Sequence, residues 1–403
     1  MCIPEPLKPS LRLQVLAFTA ARIVLNTMYR MVYPYLAFFS LGLGVDQAAL
    51  SLAITARAAF GVVGPLLASV ADKRGRKAGM LFGLLLFTAG AGLVIVWPTF
   101  PAFVLALTLT LLGKYAFDPA MQAYLGDRVP YERRGRVMAV TELGWSLSLI
   151  IGVLGMGLLI ARYGWRAPFP ILALCGILAL VVLAWILPSD PAPDRNQPGI
   201  WQNLRAVLAT TPALAGLALS FWVSAANEVI NLVFGIWMGD TFNMQIIGLG
   251  IVAVFIGLNE LGGESLAGIL TDRVGKPGAI GAGLVLNSLA VLLLPFLGLT
   301  QYGALVGLCL FYLTFEFTLV SSIPMMTEIM PAARATLMAV NIAALSLGRA
   351  LGALIAHPLY DWGQNPGALP DGLPGILASA LVVVLFNIFA LLALRILRRT
   401  ITS

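Results

Sequence analysis

Polar and ionisable residues occur inside long apolar segments of this 403-residue chain. Near the N-terminus, Arg22, Asn26 and Arg30 follow one another at intervals of four residues, which places all three on one face of a helix. A charge inside a membrane-spanning helix costs roughly 2.5–3.5 kcal/mol on insertion scales, so residues kept at that cost are candidates for function. Two kinds of chemistry are open to them: recognition of a charged solute and carriage of a proton.

These intramembrane charges divide by sign between the two halves of the sequence. The first half has four basic groups and one acidic group: Arg22, Arg30, Arg57, Lys114 and Asp118. The second half has four acidic groups and one basic group: Glu228, Glu260, Glu264, Glu316 and Arg349. Facing each other across a cavity, the two sets would nearly neutralise and could hold a zwitterion. The predicted substrate cavity contains Arg22, Asn26, Arg30, Arg57, Lys114, Glu228, Asn231, Glu316 and Arg349.

Asp118, Glu260 and Glu264 are the candidates for proton coupling. Burial favours the neutral carboxyl group and a nearby arginine favours the carboxylate. A buried acid whose distance from an arginine changes can therefore take up and release a proton. Asp118, four residues after Lys114, is more typical of a fixed ion pair. Glu260 and Glu264 share a helix face one turn apart, which disfavours joint ionisation. One of those two glutamates is therefore the preferred carrier, although such charges can also simply pair and hold helices together.

The composition argues against a water-soluble enzyme. Hydrophobic residues make up 60% of the chain and charged residues 11%, against about 25% charged residues in soluble domains. A soluble protein of this kind would expose large apolar patches, and a disordered chain would be far less hydrophobic. An integral membrane protein remains. At roughly 20 apolar residues per span, the chain predicts an all-α fold of about twelve transmembrane helices.

The sequence indicates no enzyme, metal or cofactor. Cys2, Cys175 and Cys309 are scattered, and His357 is the only histidine, so no disulfide framework, zinc site or histidine-based triad is expected. A nucleotide-binding loop of the form G-x-x-x-x-G-K-[ST] is absent, which argues against ATP as the energy source. The net charge of +7 is explained by membrane topology and not by a nucleic-acid partner.

Twelve spans are predicted, in two groups of six separated by a Pro-rich polar segment that begins at Pro188. Their approximate bounds are 13–41, 46–71, 78–97, 101–124, 137–160, 166–188, 212–238, 244–271, 278–298, 302–329, 335–360 and 373–394. The predicted domains are an N-terminal six-helix bundle (1–188), a cytoplasmic linker (189–211) and a C-terminal six-helix bundle (212–403). Glu142, at the start of the fifth span, is expected at the membrane interface.

Orientation is predicted from the basic residues of the loops. Of the 25 lysine and arginine residues, 18 fall on one side of this topology and two, Arg162 and Arg166, on the other. The basic side is therefore expected to be cytoplasmic, with both termini there. The first apolar stretch is too long for a cleavable signal peptide and is interpreted as the first span.

The two halves of the sequence repeat each other. Asp72-Lys-Arg-Gly75-Arg76 follows the second span, and Asp272-Arg-Val-Gly275-Lys276 follows the eighth at an offset of 200 residues. Asp127-Arg-Val-Pro closes the fourth span, and Glu328-Ile-Met-Pro closes the tenth. Matches in the same order at similar offsets indicate parallel repeats related by an axis along the membrane normal.

The segment from Gly64 through Asp72-Lys-Arg-Gly75-Arg76-Lys77 resembles the signature loop of the major facilitator superfamily, and the second copy lies where that family has its weaker one. The resemblance covers the whole chain and implies the major facilitator fold, with two halves that rock about a central cavity. It also implies a cytoplasmic gate that latches the halves when the cavity faces outwards: Asp72, Gly75, Arg76, Asp127, Asp272, Lys276 and Glu328.

The chain looks most like the proton-coupled drug and metabolite exporters of this family. Those exporters usually carry a Gly-Pro pair in the fifth span, whereas residues 144–157 contain no proline. We predict a monomeric inner-membrane transporter that uses protons to export a small amphiphilic or zwitterionic organic molecule by rocker-switch alternating access.

Three further functions are compatible with the same residues. An importer or exchanger of organic anions would use Arg22, Arg30 and Arg57 as the clamp. A lysolipid or glycolipid transporter would admit its cargo sideways from the bilayer. An assembly factor that keeps the fold is less consistent with the sequence, because it would have no use for the costly intramembrane charges.

Overall fold

A computed structural model describes residues 9–64, 66–67, 75–129, 131–188, 200–330, 334–365, 367, 370 and 375–402. Within these ranges the secondary structure is helical, with no strand. The helices of the N-terminal half are α1 (Pro9–Arg30), α2 (Leu36–Leu43), α3 (Gln47–Phe60), α4 (Arg76–Val96), α5 (Phe100–Arg128), α6 (Tyr131–Leu147), α7 (Leu154–Tyr163) and α8 (Pro168–Ile186). Those of the C-terminal half are α9 (Ile200–Ala209), α10 (Thr211–Phe242), α11 (Ile246–Val274), α12 (Lys276–Leu297), α13 (Gln301–Ile329), α14 (Arg334–Gln364) and α15 (Ile376–Thr402).

Ten helices of the described residues are long and apolar enough to cross a membrane. The first span is formed by α1 and α2 and the second begins with α3, which completes the twelve-helix arrangement of two six-helix repeats. α1 is not among the ten because arginine and asparagine interrupt its apolar sequence. α2 and α3 meet at 110° across Gly44, whose positive φ of 68° allows the sharp turn.

Two predicted spans are less regular than expected. The first, predicted as continuous over 13–41, breaks at residues 31–35, where Pro34 lacks the backbone N–H that a continuing helix requires. The fifth contains a π-helical segment, Ser148–Val153, between α6 and α7. Gly152 faces the Thr27 side chain there, and a Cβ atom would collide with that side chain, so this residue permits the close approach of α1.

The two halves are built alike. α4 packs on α5 and α8 in the first half, and α12 packs on α13 and α15 in the second. Gly75 and Gly275 precede α4 and α12 with φ of 101° and 84°, values that favour glycine. Proline lies inside α5 and inside α13, at Pro119 and Pro324. The sequence repeat is therefore also a structural repeat.

The polar connection between the halves is helical in part. α9 lies within the predicted linker (189–211), and its Val207 is buried against Leu337 of α14. Residues 189–199 of the predicted linker lie outside the described part of the chain.

Successive spans run in opposite directions, so Pro9 and Thr402, the first and last described residues, lie at one end of the bundle, which we name the terminal end; the other is the distal end. The halves meet at mid-bundle and towards the distal end, where α3 packs on α14 and α7 packs on α11. Gly235 of α10 approaches the backbone of the first span so closely that a Cβ atom would lie 2.8 Å from the carbonyl oxygens of Tyr33 and Pro34. The distal end is therefore closed between the halves.

Candidate substrate cavity and charge network

Arg22 is the centre of a charge cluster that lies entirely in the N-terminal half. Its Nε lies 3.2 Å from Asp118 Oδ1, and its guanidinium group contacts Glu142 at 2.7 Å. Arg22 Nη1 also donates to the carbonyl oxygen of Thr141 at 2.9 Å. Lys114 pairs with the other oxygen of Asp118. These contacts join α1, α5 and α6, and each charge in the cluster has a partner of opposite sign.

Glu142 is a member of this cluster that the sequence analysis left out. Its side chain is 43% exposed, whereas that of Arg22 is 5% exposed, so the cluster opens to its surroundings on the Glu142 side. Asn26, one turn from Arg22, donates to the carbonyl oxygen of Gly144 at 3.1 Å and so fixes α1 against α6. With Glu142 added to the predicted residues, the charge network of the first half has four basic and two acidic groups.

Arg30 forms an ion pair that crosses between the halves. Its two terminal nitrogens donate to the two carboxylate oxygens of Glu260 on α11, at 2.8 and 2.5 Å. Both side chains are buried, with 7% and 3% of their surfaces exposed. The guanidinium group also lies 4.2 Å from the centre of the Trp145 ring, a cation–π contact. A bidentate, desolvated pair of this kind is the strongest polar geometry that arginine and glutamate can form.

Two more carboxylates of the second half lie close to this pair. Glu264, one turn from Glu260, is half-buried and accepts from Ser146 Oγ at 3.4 Å. Glu316 of α13 is 4% exposed, and among the described residues no hydrogen-bond donor reaches its Oε2 atom. The carboxylates on the acidic side of the cavity are therefore surrounded by fewer hydrogen-bond donors and fewer cations than they could bind.

A second inter-half network lies nearer the distal end. Arg57 donates to the Tyr33 hydroxyl at 2.7 Å, and this hydroxyl donates to Glu228 Oε1 at 2.8 Å. Asn231 donates to the other Glu228 oxygen at 3.3 Å, and Tyr312 donates to Asn231 at 3.0 Å. The Tyr33 hydroxyl thus joins a buried cation of the first half to a buried anion of the second.

Arg349 takes part in a third contact between the halves. Its Nη1 donates to the Tyr115 hydroxyl at 3.4 Å, and this hydroxyl lies 2.5 Å from Ser346 Oγ. Sequence reasoning did not select Tyr115, Ser346 or Tyr312. The positions of Ser346 and Tyr312 carried a signal, because they lie three and four residues before the predicted Arg349 and Glu316 on the same helix face, whereas Tyr115, which directly follows Lys114, carried none of this kind.

The predicted gate residues lie at the terminal end. Arg76 Nε is 3.6 Å from Asp127 Oδ2, and Lys276 pairs with Glu328 at the equivalent place in the second half. Each pair lies within a single half, the first in the N-terminal and the second in the C-terminal half, and the acidic side chains are 59% and 63% exposed. Gly75 forms the turn before α4. Asp72 and the side chain of Asp272 lie outside the described part of the structure.

The family sequence model of the Major Facilitator Superfamily matches residues 18–353 of this chain. The chain belongs to this superfamily. The inner membrane transport protein YdhP of Escherichia coli (strain K12) is 26% identical over 346 residues, which cover 85% of this chain and 87% of YdhP. A chloramphenicol resistance protein of Streptomyces lividans is 26% identical over 350 residues, covering 85% and 88% of the two chains.

Solved transporters have the same fold. A bacterial homologue of the human lysosomal transporter Spinster, in an inward-facing and unoccupied conformation, superposes with a TM-score of 0.73 at 17% identity. The match covers 98% of this chain and 99% of the other. This member of the major facilitator superfamily is thus a multi-pass membrane protein with the family's twelve-helix fold, and it is a secondary transporter.

Proposed function

We propose that this transporter exports a small amphiphilic or zwitterionic organic molecule across the cytoplasmic membrane in exchange for protons, by rocker-switch alternating access. In this proposal both termini are cytoplasmic, as the distribution of basic residues predicts. The relation to a chloramphenicol resistance protein supports export of an amphiphilic compound. The charge arrangement of the cavity supports the coupling to protons.

The observation that carries the proposal is the Arg30–Glu260 pair beside the carboxylates of Glu264 and Glu316. Among the described residues, Arg30 is the only cation in ion-pair contact with these three acids, and one carboxylate oxygen has no donor. A proton or the cationic group of a substrate can supply the missing positive charge. Glu316 is the proposed contact for that cationic group, because its Oε2 is available in the buried cluster.

Coupling follows from competition for Glu260. While Glu260 is ionised, its bidentate pair with Arg30 holds the two halves together. An anionic group of the substrate competes with Glu260 for Arg30, so a zwitterion bound between Arg30 and Glu316 breaks the pair and the halves separate on the distal side. Once the substrate has left, Glu260 without its cation takes up a proton from the distal side, and renewed pairing with Arg30 releases that proton to the cytoplasm when the distal end closes.

Among the proton-coupling candidates, the contacts favour Glu260 and Glu264 over Asp118. Asp118 is held by two cations, Arg22 and Lys114, within a single half. Its environment does not depend on the relative position of the halves. Glu264 is half-buried beside Ser146 of the opposite half, so its environment changes when the halves move apart. We propose Glu264 as the group that exchanges protons with water.

The gate is proposed to act in the opposite conformation. The pairs Arg76–Asp127 and Lys276–Glu328, with Asp72 and Asp272 of the two signature loops, would latch the terminal end when the distal end is open. In the conformation described here the distal end is closed, so the cavity would be reached from the terminal side. A substrate would enter from the cytoplasm in this state.

The substrate class can be tested by thermal stabilisation of the purified protein. The panel comprises chloramphenicol, tetraphenylphosphonium, the zwitterion betaine, an organic anion such as benzoate, and a lysophospholipid, each at acidic and at alkaline pH. Ligands that bind the folded state raise the melting temperature by mass action. Stabilisation by betaine or tetraphenylphosphonium that is lost in Glu316→Gln supports the proposal, as does stabilisation by chloramphenicol, which has no cationic group and should keep its effect in Glu316→Gln. Selective stabilisation by benzoate, lost in Arg30→Ala, indicates an organic-anion transporter, and stabilisation by the lysophospholipid alone indicates lipid transport.

Proton coupling is tested with the strongest stabiliser in proteoliposomes. We expect Glu264→Gln to abolish accumulation driven by a pH gradient and to leave exchange of labelled for unlabelled compound intact. Asp361→Asn is the matched control, because it removes one carboxylate at the distal end of α14 outside the cavity. Accumulation that keeps its full pH dependence in Glu264→Gln would exclude Glu264 from the proton path.

A further inference from the structure

A cavity of about 640 Å³ lies outside the charge network, between α12 and α15 at the terminal end. α15 lines it with Leu391, Leu394 and three arginines, and α12 contributes Gly278 and Gly281 among other small residues. The transport cycle proposed above uses none of these residues. The two helices belong to the same half, so the cavity persists while the halves rock.

The three arginines share one face of α15. Arg395, Arg398 and Arg399 follow at i, i+3 and i+4, the spacing of neighbours on a helical surface. All three are exposed and line the cavity. Guanidinium groups form bidentate hydrogen bonds with phosphate oxygens, so three of them on one rim can recognise a phosphodiester. Arginines that only anchored the end of a span would need neither a shared face nor a cavity beneath them.

The inner part of the cavity is apolar. A Cβ atom on Gly281 would contact only Leu394, at 3.7 Å, so the absence of a side chain there leaves open volume. Leu391 and Leu394 form the facing wall. From Leu391 to Arg399 the helix rises about 12 Å, enough to pass from hydrocarbon to the headgroup region. An apolar hollow below a basic rim matches a molecule with an acyl chain and an anionic head.

We propose that this cavity binds an anionic phospholipid from the leaflet at the terminal end. The phosphodiester is held by Arg395, Arg398 and Arg399, and an acyl chain lies in the hollow beside Gly281 and Leu394. The lipid bridges α12 and α15 and so stabilises the C-terminal bundle. The recognition needs both elements, since basic groups between helices select the anionic head and the hollow selects a lipid over free phosphate.

The test is the thermal stability and lipid retention of the purified full chain with defined lipids. We expect phosphatidylglycerol to raise the melting temperature and to remain bound in native mass spectrometry, whereas phosphatidylcholine and inorganic phosphate do neither. The triple variant R395A/R398A/R399A should bind phosphatidylglycerol about 100-fold more weakly, at roughly tenfold or less per arginine. The matched control R12A/R205A/R273A removes three exposed arginines that do not line the cavity and should retain binding.

A second variant separates the hollow from the charge. Gly281→Leu places a side chain in the inner part of the cavity and leaves every arginine in place, and we expect it to lose the retained lipid as well. Equal loss of binding in both triple variants would mean general attraction of anionic lipid to a basic surface and would overturn the proposal. Stabilisation of the wild-type chain by inorganic phosphate, or undiminished lipid retention in Gly281→Leu, would also overturn it.

Discussion

Replacing Glu260 by glutamine tests whether the Arg30–Glu260 pair sets the balance between the two conformations. The substitution keeps the shape of the side chain and a hydrogen-bonding oxygen but removes the charge. Arg30 then remains as a buried cation whose described partners are the carbonyl oxygen and the ring of Trp145. Because the pair joins the halves, its loss acts on the distal-closed state and not on a state in which the halves have separated.

The size of the effect follows from the burial of the pair. With 7% and 3% of the two side chains exposed, solvent screens the interaction little. Breaking a buried pair by removal of one partner typically costs about 3–5 kcal/mol. Glu264 and Glu316 remain nearby and compensate part of the charge, so we take the lower value of about 3 kcal/mol. That corresponds to a shift of about 100-fold in the conformational equilibrium.

The shift is measured as a distance between the halves at the distal end. Spin labels are placed at Ala48 and Thr241, which are exposed on α3 and α10, in a chain whose three cysteines are replaced by serine. Pulsed electron resonance then gives the populations of short and long distances. The closed-to-open ratio should be about 100-fold lower in Glu260→Gln than in the wild type. Asp361→Asn breaks a pair within one helix and should change nothing, and an unaltered distribution in Glu260→Gln would refute the reasoning.

Two further variants test the closure of the distal end. Gly235→Ala places a methyl group 2.8 Å from the backbone oxygens of Tyr33 and Pro34, so we expect the same spin-label pair to report more open molecules, whereas Gly239→Ala, which meets nothing within 4 Å, should leave the populations unchanged. Tyr33→Phe removes the hydroxyl between Arg57 and Glu228, so each of these buried charged groups loses a hydrogen bond. Because an unsatisfied buried polar group costs about 1–3 kcal/mol, the melting temperature should fall. The exposed Tyr302→Phe is the control, and an equal melting temperature for both variants would contradict this account of the hydroxyl.

The sequence was sufficient to predict the fold because apolar length and repetition are local properties. Runs of about 20 apolar residues place the spans without knowledge of their neighbours. The offset of 200 residues between the two signature loops identifies equivalent positions, and the structure places Arg76–Asp127 and Lys276–Glu328 at those positions. The two residues of each pair are more than 50 positions apart in the sequence, so they could be chosen only from the resemblance to the family's gate.

The partners across the cavity could not be predicted in the same way. Helical spacing shows that Arg22, Asn26 and Arg30 share a face, but not that Arg22 pairs within its own half while Arg30 pairs with Glu260 of the other. That difference depends on the rotation and depth of α1 against two separate helices. The break at residues 31–35 was missed for a related reason, since an apolar pattern continues through it and only Pro34 marks it.

These pairings explain what the division of the intramembrane charges by sign between the two halves can do. A conformational equilibrium responds only to interactions that differ between its states. The ion pairs of the Arg22 cluster lie within one half, so they do not have to break when the halves move. The Arg30–Glu260 pair and the Tyr33–Glu228 hydrogen bond exist only while the halves touch. A basic set in one half and an acidic set in the other therefore place the strongest bonds between the moving parts, where a single proton or substrate charge can compete with them.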